Sequence, residues 1–309
     1  MSKKRGAGPY VTTGMSSAEA PGFERPFPAL TPAQRYHFDA YGYVVIENTL
    51  STAETGRLLD TMYRLKQDFL DSVDPSAATV RGCRLMTFEP HMTHFTHILE
   101  TYPAFLEYVT HPRLVGMVEE VVGDTVRLEE SEATINARNT DEAPRFGFHA
   151  GVRPDVGTYT ENGLFHSSFV KTLTNLTDLG PDDGGTVVIA GSHKMKCPQE
   201  EIIACAYEDP ALIHQMTAPA GSTLLFSESL IHATGLRRSE GDRVIVIAGY
   251  TPTHFQAWNG NEPSARFVES IPEPLRPIIS GSHGWRREHR FRRLGEPTQG
   301  LPTGGRIAD

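Results

Sequence analysis

The sequence has no apolar run near the roughly 18 residues that a membrane-spanning helix needs, so no helical membrane span is expected. Basic charge is also in short supply. Lys and Arg number 29 against 38 Asp and Glu in 309 residues, a net charge of −9. A general binder of nucleic-acid polymers carries the opposite excess, because phosphate contacts need cations. Cysteine is scarce and odd in number, at Cys83, Cys197 and Cys205, and no Cys-x-x-Cys pair occurs. A disulfide scaffold and a cysteine-type zinc site are both poorly supplied, and a reducing, cytoplasmic compartment is the expected one. The opening Met1-Ser2-Lys3-Lys4-Arg5-Gly6 is basic, but no apolar stretch follows it, so a secretory signal is not expected. What is present suits a packed core: 39% of residues are hydrophobic and 22% charged. Histidine, at 13 residues, is plentiful enough to build a metal site.

Residues 1–28 are rich in Gly, Pro, Ser and Ala and show no sustained period, which predicts a mobile tail. A single domain is expected over 29–294, with a second mobile tail at 295–309. Thr31 and Pro32 suit the start of a helix and Gly42 its end. Tyr43–Glu47 reads as a strand. Ser51 then caps a second helix with apolar residues at Leu58, Leu59, Met62, Leu65 and Phe69. Pro103–Leu106 and Leu114–Val122 read as helix. Candidate strands are Thr125–Glu129, Glu132–Ala137, Phe165–Leu176, Thr186–Ile189, Ser222–Phe226 and Val244–Tyr250. Many short strands after a helical opening predict a mainly β fold with flanking helices, a jelly roll.

Three motifs follow one another in order. They are Phe148-His149-Ala150-Gly151, then Gly184-Gly185-Thr186 through Gly191-Ser192-His193-Lys194, then Pro219-Ala220-Gly221-Ser222 leading to Ile231-His232-Ala233-Thr234-Gly235 and Arg243. Together with Tyr41-Gly42-Tyr43-Val44-Val45-Ile46-Glu47-Asn48, this resembles the phytanoyl-CoA dioxygenase-like branch of the Fe(II)/2-oxoglutarate enzymes, from about Leu30 to Pro252. The resemblance implies a double-stranded β-helix of the cupin-like type. It implies iron held by His149 and His232, with Arg243 taking the far carboxylate of 2-oxoglutarate through its planar fork and Thr234 adding a hydroxyl. His166 reads as a strand side chain, and His193 belongs to the Gly-Ser-His-Lys turn that the family uses structurally.

The sequence departs from the family at its third ligand. Where the family has the aspartate of His-x-Asp, this chain has Gly151. In this it is similar to the iron-dependent aliphatic halogenases, in which chloride takes the carboxylate's place. That likeness implies Fe(II), 2-oxoglutarate, O2 and chloride as cofactors, and chlorination of an unactivated aliphatic carbon. Two alternatives stand beside it. In one, Asp155 or Glu161 replaces the lost carboxylate and the enzyme is a hydroxylase. In the other, the site has decayed into a non-enzymatic binding module. Arg153, Lys171 and the arginines of 285–293, among them Arg286, Arg287 and Arg290, suit an anionic small molecule; a solvated helix face explains the last group equally well. Within the halogenases this favours a deoxyadenosine-type nucleotide of nucleoside antibiotic biosynthesis, with a free or carrier-tethered amino acid as the alternative.

Overall fold

The computed structural model describes residues 29–139, 145–161, 163–258 and 260–282. Both expected tails and the arginines of 285–293 lie outside the described residues. The first helix, α1 (Pro32–Tyr41), is held by a reciprocal cap: Thr31 accepts from the Gln34 N–H, and the Gln34 side chain accepts from the Thr31 N–H. Gly42 ends it at φ +82°, where a side chain would also collide with the His193 ring. Strand β1 (Tyr43–Ile46) follows, then α2 (Thr52–Leu70), capped the same way by Ser51 and Glu54. Next come β2 (Thr79–Val80), β3 (Cys83–Glu89), β4 (Met92–Thr96), α3 (Pro103–Val109), α4 (Pro112–Val122) and β5 (Val126–Asn136). A single turn, α5 (Pro154–Gly157), leads into β6 (Thr158–Glu161), β7 (Leu164–Ser167), β8 (Val170–Asn175) and β9 (Val187–Ile189). The chain finishes with α6 (Gln199–Glu208), β10 (Ile213–Gln215), β11 (Thr223–Ser227), β12 (His232–Ala233), β13 (Arg243–Pro252), α7 (Ala265–Ser270) and α8 (Arg276–Ser280).

The large sheet runs β1-β11-β8-β13-β5-β4-β3-β2, and a small sheet runs β10-β9-β12. Together they form the expected jelly roll. Strand β13 shows how its two faces divide. Val244, Val246, Ala248 and Tyr250 pack with Met62, Leu65 and Phe69 of α2 and with Val115 and Val118 of α4. Ile245 and Ile247 point the other way, onto Val188, Met216 and Leu230 of the small-sheet side. Burying each such side chain contributes about 1.5–3 kcal/mol. Among the described residues no helix is long and apolar enough to cross a membrane.

The structure corrects the sequence in three places. Thr125–Glu129 and Glu132–Ala137 are one strand, β5, because Glu130 and Ser131 stay in the ladder with β13. Phe165–Leu176 is two strands, divided at Ser168 and Phe169. The β3–β4 hairpin and α6 were not anticipated.

His166 and His193 are both fully shielded. His166 stacks on Tyr159 at 5.0 Å, and His193 meets Phe165 edge-on at 4.6 Å. Burial, with Arg35 beside one and Lys194 beside the other, pushes each ring down to about 3. In the unfolded chain they protonate near 6.5, so acid favours unfolding from there downward, by about 1.4 kcal/mol per pH unit for each ring. Thermal melts are expected to show a loss on the order of 4 kcal/mol from the pair between pH 6.5 and pH 5. A melting temperature unchanged across that interval would contradict the burial of both rings.

Candidate active site

His149 is tied to β12 by main-chain bonds. Its N–H donates to His232 O and the His232 N–H donates to His149 O, both at 2.9 Å. This antiparallel bridge puts the two side chains on one side, with ring centroids 4.3 Å apart. Each Nδ1 faces a main-chain carbonyl two residues back: Gly147 O at 3.0 Å for His149 and Leu230 O at 2.8 Å for His232. Carbonyls only accept, so each Nδ1 carries the hydrogen and each Nε2 keeps its lone pair for a metal. Burial, and next the charge of His149, push His232 down to about 3, so it stays neutral as a ligand must.

Arg243 opens β13 and is 1% exposed. Its Nη2 donates to Thr186 Oγ1 at 2.9 Å, while Nε and Nη1 have no hydrogen-bond partner among the described residues. Burial, and next the charge of Arg237, push it down to about 10. A buried guanidinium with two unanswered donors is costly unless a ligand brings an acceptor, and a planar carboxylate answers two donors at once. Thr186 directly precedes β9, whose Val188 pairs with His232. The arginine therefore sits beside the histidine pair. Thr234, expected to add a hydroxyl to the 2-oxoglutarate carboxylate, is exposed; the hydroxyl that meets Arg243 belongs to Thr186. The only sequence signal for Thr186 was its place after Gly184-Gly185.

Gly151 is where the structure says most. A Cβ added there would lie 2.5 Å from Glu228 Oε1, 2.6 Å from Cγ and 2.9 Å from Cδ. The space of the missing side chain is filled by a glutamate from the turn after β11. Its backbone is fixed on both sides: Glu228 N–H donates to Phe169 O, and Glu228 O accepts from the N–H groups of Gly151 and Val152. Glu228 is 3% exposed. Its Oε1 lies 3.3 Å from Lys171 Nζ, while Oε2 has no hydrogen-bond partner among the described residues. Burial raises its carboxyl, and Lys171 and His149 pull the other way. No motif spacing pointed to this residue.

Lys171 also reaches Glu130 Oε2 at 2.9 Å. Burial lowers its ammonium, but Glu228, Glu130 and Glu132 outweigh that and hold it above its usual value. Burial pushes Glu130 up to about 7, with Lys171 opposing. Glu132 pairs with His94 at 3.2 Å. Lys171 is thus already shared between two carboxylates. Arg153 caps α5 from an exposed position. Asp155 is 54% exposed and pairs with Lys196 at 3.2 Å, so it faces solvent; Glu161 lies in β6. Arg286, Arg287 and Arg290 are outside the described residues. Among the described residues, no three His, Cys, Asp or Glu side chains stand ready-assembled around a metal position.

A family model described as phytanoyl-CoA dioxygenase matches residues 38–245, which span the histidine pair and Arg243. The chain belongs to the phytanoyl-CoA dioxygenase family. This family lies within the Fe(II)/2-oxoglutarate-dependent oxygenases, so the protein is an oxidoreductase of that superfamily. An ectoine dioxygenase of Nocardia farcinica is 26% identical over 221 residues, covering 64% of this chain and 70% of its own. The crystal structure of HygX from Streptomyces hygroscopicus with nickel and 2-oxoglutarate bound has a TM-score of 0.58 at 24% identity, covering 74% of this chain and 90% of that one. The epimerase SnoN, in complex with Fe3+, α-ketoglutarate and nogalamycin RO, has a TM-score of 0.55 at 17% identity, over 82% and 95%. These likenesses show the same fold in family members and their neighbours. The donor set fits the family's metal and cosubstrate: two imidazoles with free Nε2 atoms, and a buried arginine with donors to spare.

Proposed function

We propose that this chain uses iron, 2-oxoglutarate and O2 to hydroxylate an unactivated C–H bond of a small specialised metabolite. The observation that carries this is the buried Arg243, with two unanswered donors, beside two histidines whose Nε2 atoms are free. His149 and His232 would hold the metal, and Arg243 with Thr186 would hold the far carboxylate of 2-oxoglutarate. When bound, the iron supplies activation of O2 coupled to decarboxylation of 2-oxoglutarate to succinate and carbon dioxide. The protein's own part is to fix both imidazole tautomers and to orient the cosubstrate, with Phe226 of the apolar cluster packed edge-on against His232.

Chlorination is the second reading, and Gly151 is the observation that favours it. Against it stands Glu228, an anion already in that space. Two unit negative charges about 4 Å apart repel by about 4 kcal/mol at an effective dielectric near 20, which Lys171 offsets only in part.

A small-molecule substrate is supported by the ectoine dioxygenases among its relatives and by solved neighbours that hold hygromycin B or come from nogalamycin biosynthesis. Near Glu228, among the described residues, Glu130 lies on Lys171 and Glu132 on His94, so carboxylates outnumber the ammonium there. That balance supports a substrate with a cationic group over a nucleotide phosphate. The nucleotide reading rests on Arg153 at the surface and on the arginines of 285–293. A cytoplasmic location, from the scarcity of cysteine, is part of the proposal.

The test is 2-oxoglutarate-dependent succinate release across nucleotides, nucleosides, amino acids, ectoine and amine-rich antibiotics, with products weighed in the presence and absence of chloride. A product heavier by one oxygen, indifferent to chloride, is expected. A chlorine isotope pattern would replace hydroxylation by halogenation. Failure to bind 2-oxoglutarate would remove both.

A further inference from the structure

Glu228 has a role beyond filling space. Building on the iron-dependent reading above, we infer that Glu228 supplies the metal-binding carboxylate that Gly151 lacks, from a different point in the chain. Three observations point there. Its Oε1 lies 2.5 Å from where a Gly151 Cβ would be. A glutamate carboxylate therefore stands in the space that the side chain of the family's aspartate would take. Its Oε2 is buried without a hydrogen-bond partner among the described residues, a state that buried carboxylate oxygens avoid unless something else answers them. And its main chain is locked to the His149 segment, through Gly151 and Val152.

In the metal-free arrangement Oε1 faces Lys171, so the carboxylate must turn from the ammonium to the metal. That exchange does not strand a buried cation, because Glu130 stays 2.9 Å from Lys171 Nζ. Gly151 then follows from Glu228: any side chain at 151 would collide with the glutamate. The glycine and the glutamate are one substitution in two places, exchanging a short carboxylate on the His149 segment for a longer one on the turn before His232. With that turn His149, His232 and Glu228 would supply two histidines and one carboxylate, the donor set that suits non-haem Fe(II).

The experiment uses Co(II), added to the full-length protein without oxygen, and follows affinity by calorimetry and coordination by the cobalt absorption spectrum. Glu228→Gln is expected to weaken Co(II) binding about tenfold or more, the scale on which ligand-set changes act, and to change the spectrum. Lys171→Met removes the competing partner and should bind Co(II) at least as tightly as wild type. A merely structural Glu228–Lys171 pair would make both variants lose affinity alike, which would overturn the inference. Chloride titration supplies an independent reading. The wild-type cobalt spectrum should ignore chloride, and Glu228→Ala should respond to it. In Glu228→Ala combined with Gly151→Asp, the family's arrangement is rebuilt and chloride sensitivity should vanish again. A chloride-sensitive wild type, with Glu228→Gln binding Co(II) as well as wild type, would put the halide beside Gly151 and overturn the assignment while leaving the iron-dependent reading intact. A wild type that binds neither Co(II) nor 2-oxoglutarate would overturn both.

Discussion

His232→Ala should lose iron and turnover together. The Nε2 of His232 is held in place by the Nδ1 bond to Leu230 O, by Phe226 at 4.8 Å between centroids, and by the main-chain bridge to His149. Alanine removes the donor atom but not the bridge, which is made only of backbone groups, so the fold should persist. His149 is then the one imidazole left at the site. The loss of affinity should exceed the 10–100-fold that follows from disturbing an outer-shell partner. Metal content after anaerobic loading, read beside a thermal melt, decides the matter. A folded variant that retains wild-type metal would show that His232 is not a ligand.

Arg243 carries the second large effect, and here the sign separates function from structure. Its guanidinium is buried with two donors unanswered, which weakens the protein before the cosubstrate arrives. Arg243→Met should therefore leave the melting temperature of the cosubstrate-free protein unchanged or higher, while abolishing measurable 2-oxoglutarate binding. Arg243→Lys keeps a cation but loses the fork, and should cost about 1.5–3 kcal/mol of binding, near tenfold to a hundredfold. Calorimetric titration of 2-oxoglutarate into each variant is the measurement. Loss of stability with retained binding would assign the arginine to the core.

Much of the architecture was readable because it is written locally. Thr31, Gln34 and Gly42 delimit α1 within a dozen residues, and Leu58, Met62, Leu65 and Phe69 repeat at helical spacing and are all buried. The histidine pair and Arg243 were readable because the family keeps them in recognisable surroundings. Glu228 was not, since its meaning lies in a contact with Gly151 across the fold and Ser-Glu-Ser has no signature of its own. The same holds for Lys171. In sequence it is a cation available to a phosphate; in space two carboxylates already claim it. The break foreseen inside β5 left Glu130 and Ser131 out of the strand, where Glu130 faces a buried ammonium.

Among the described residues strand β1 pairs only with β11, Tyr43 opposite Phe226, at the edge of the large sheet. On a ribosome that adds about 5–20 residues each second, the partner strand appears on the order of ten seconds or more after Tyr43. Through that interval Val44 and Ile46 are made without the strand they pair with. Slowing translation between β1 and β11 lengthens that interval, and placing β1 after β13 by circular permutation shortens it.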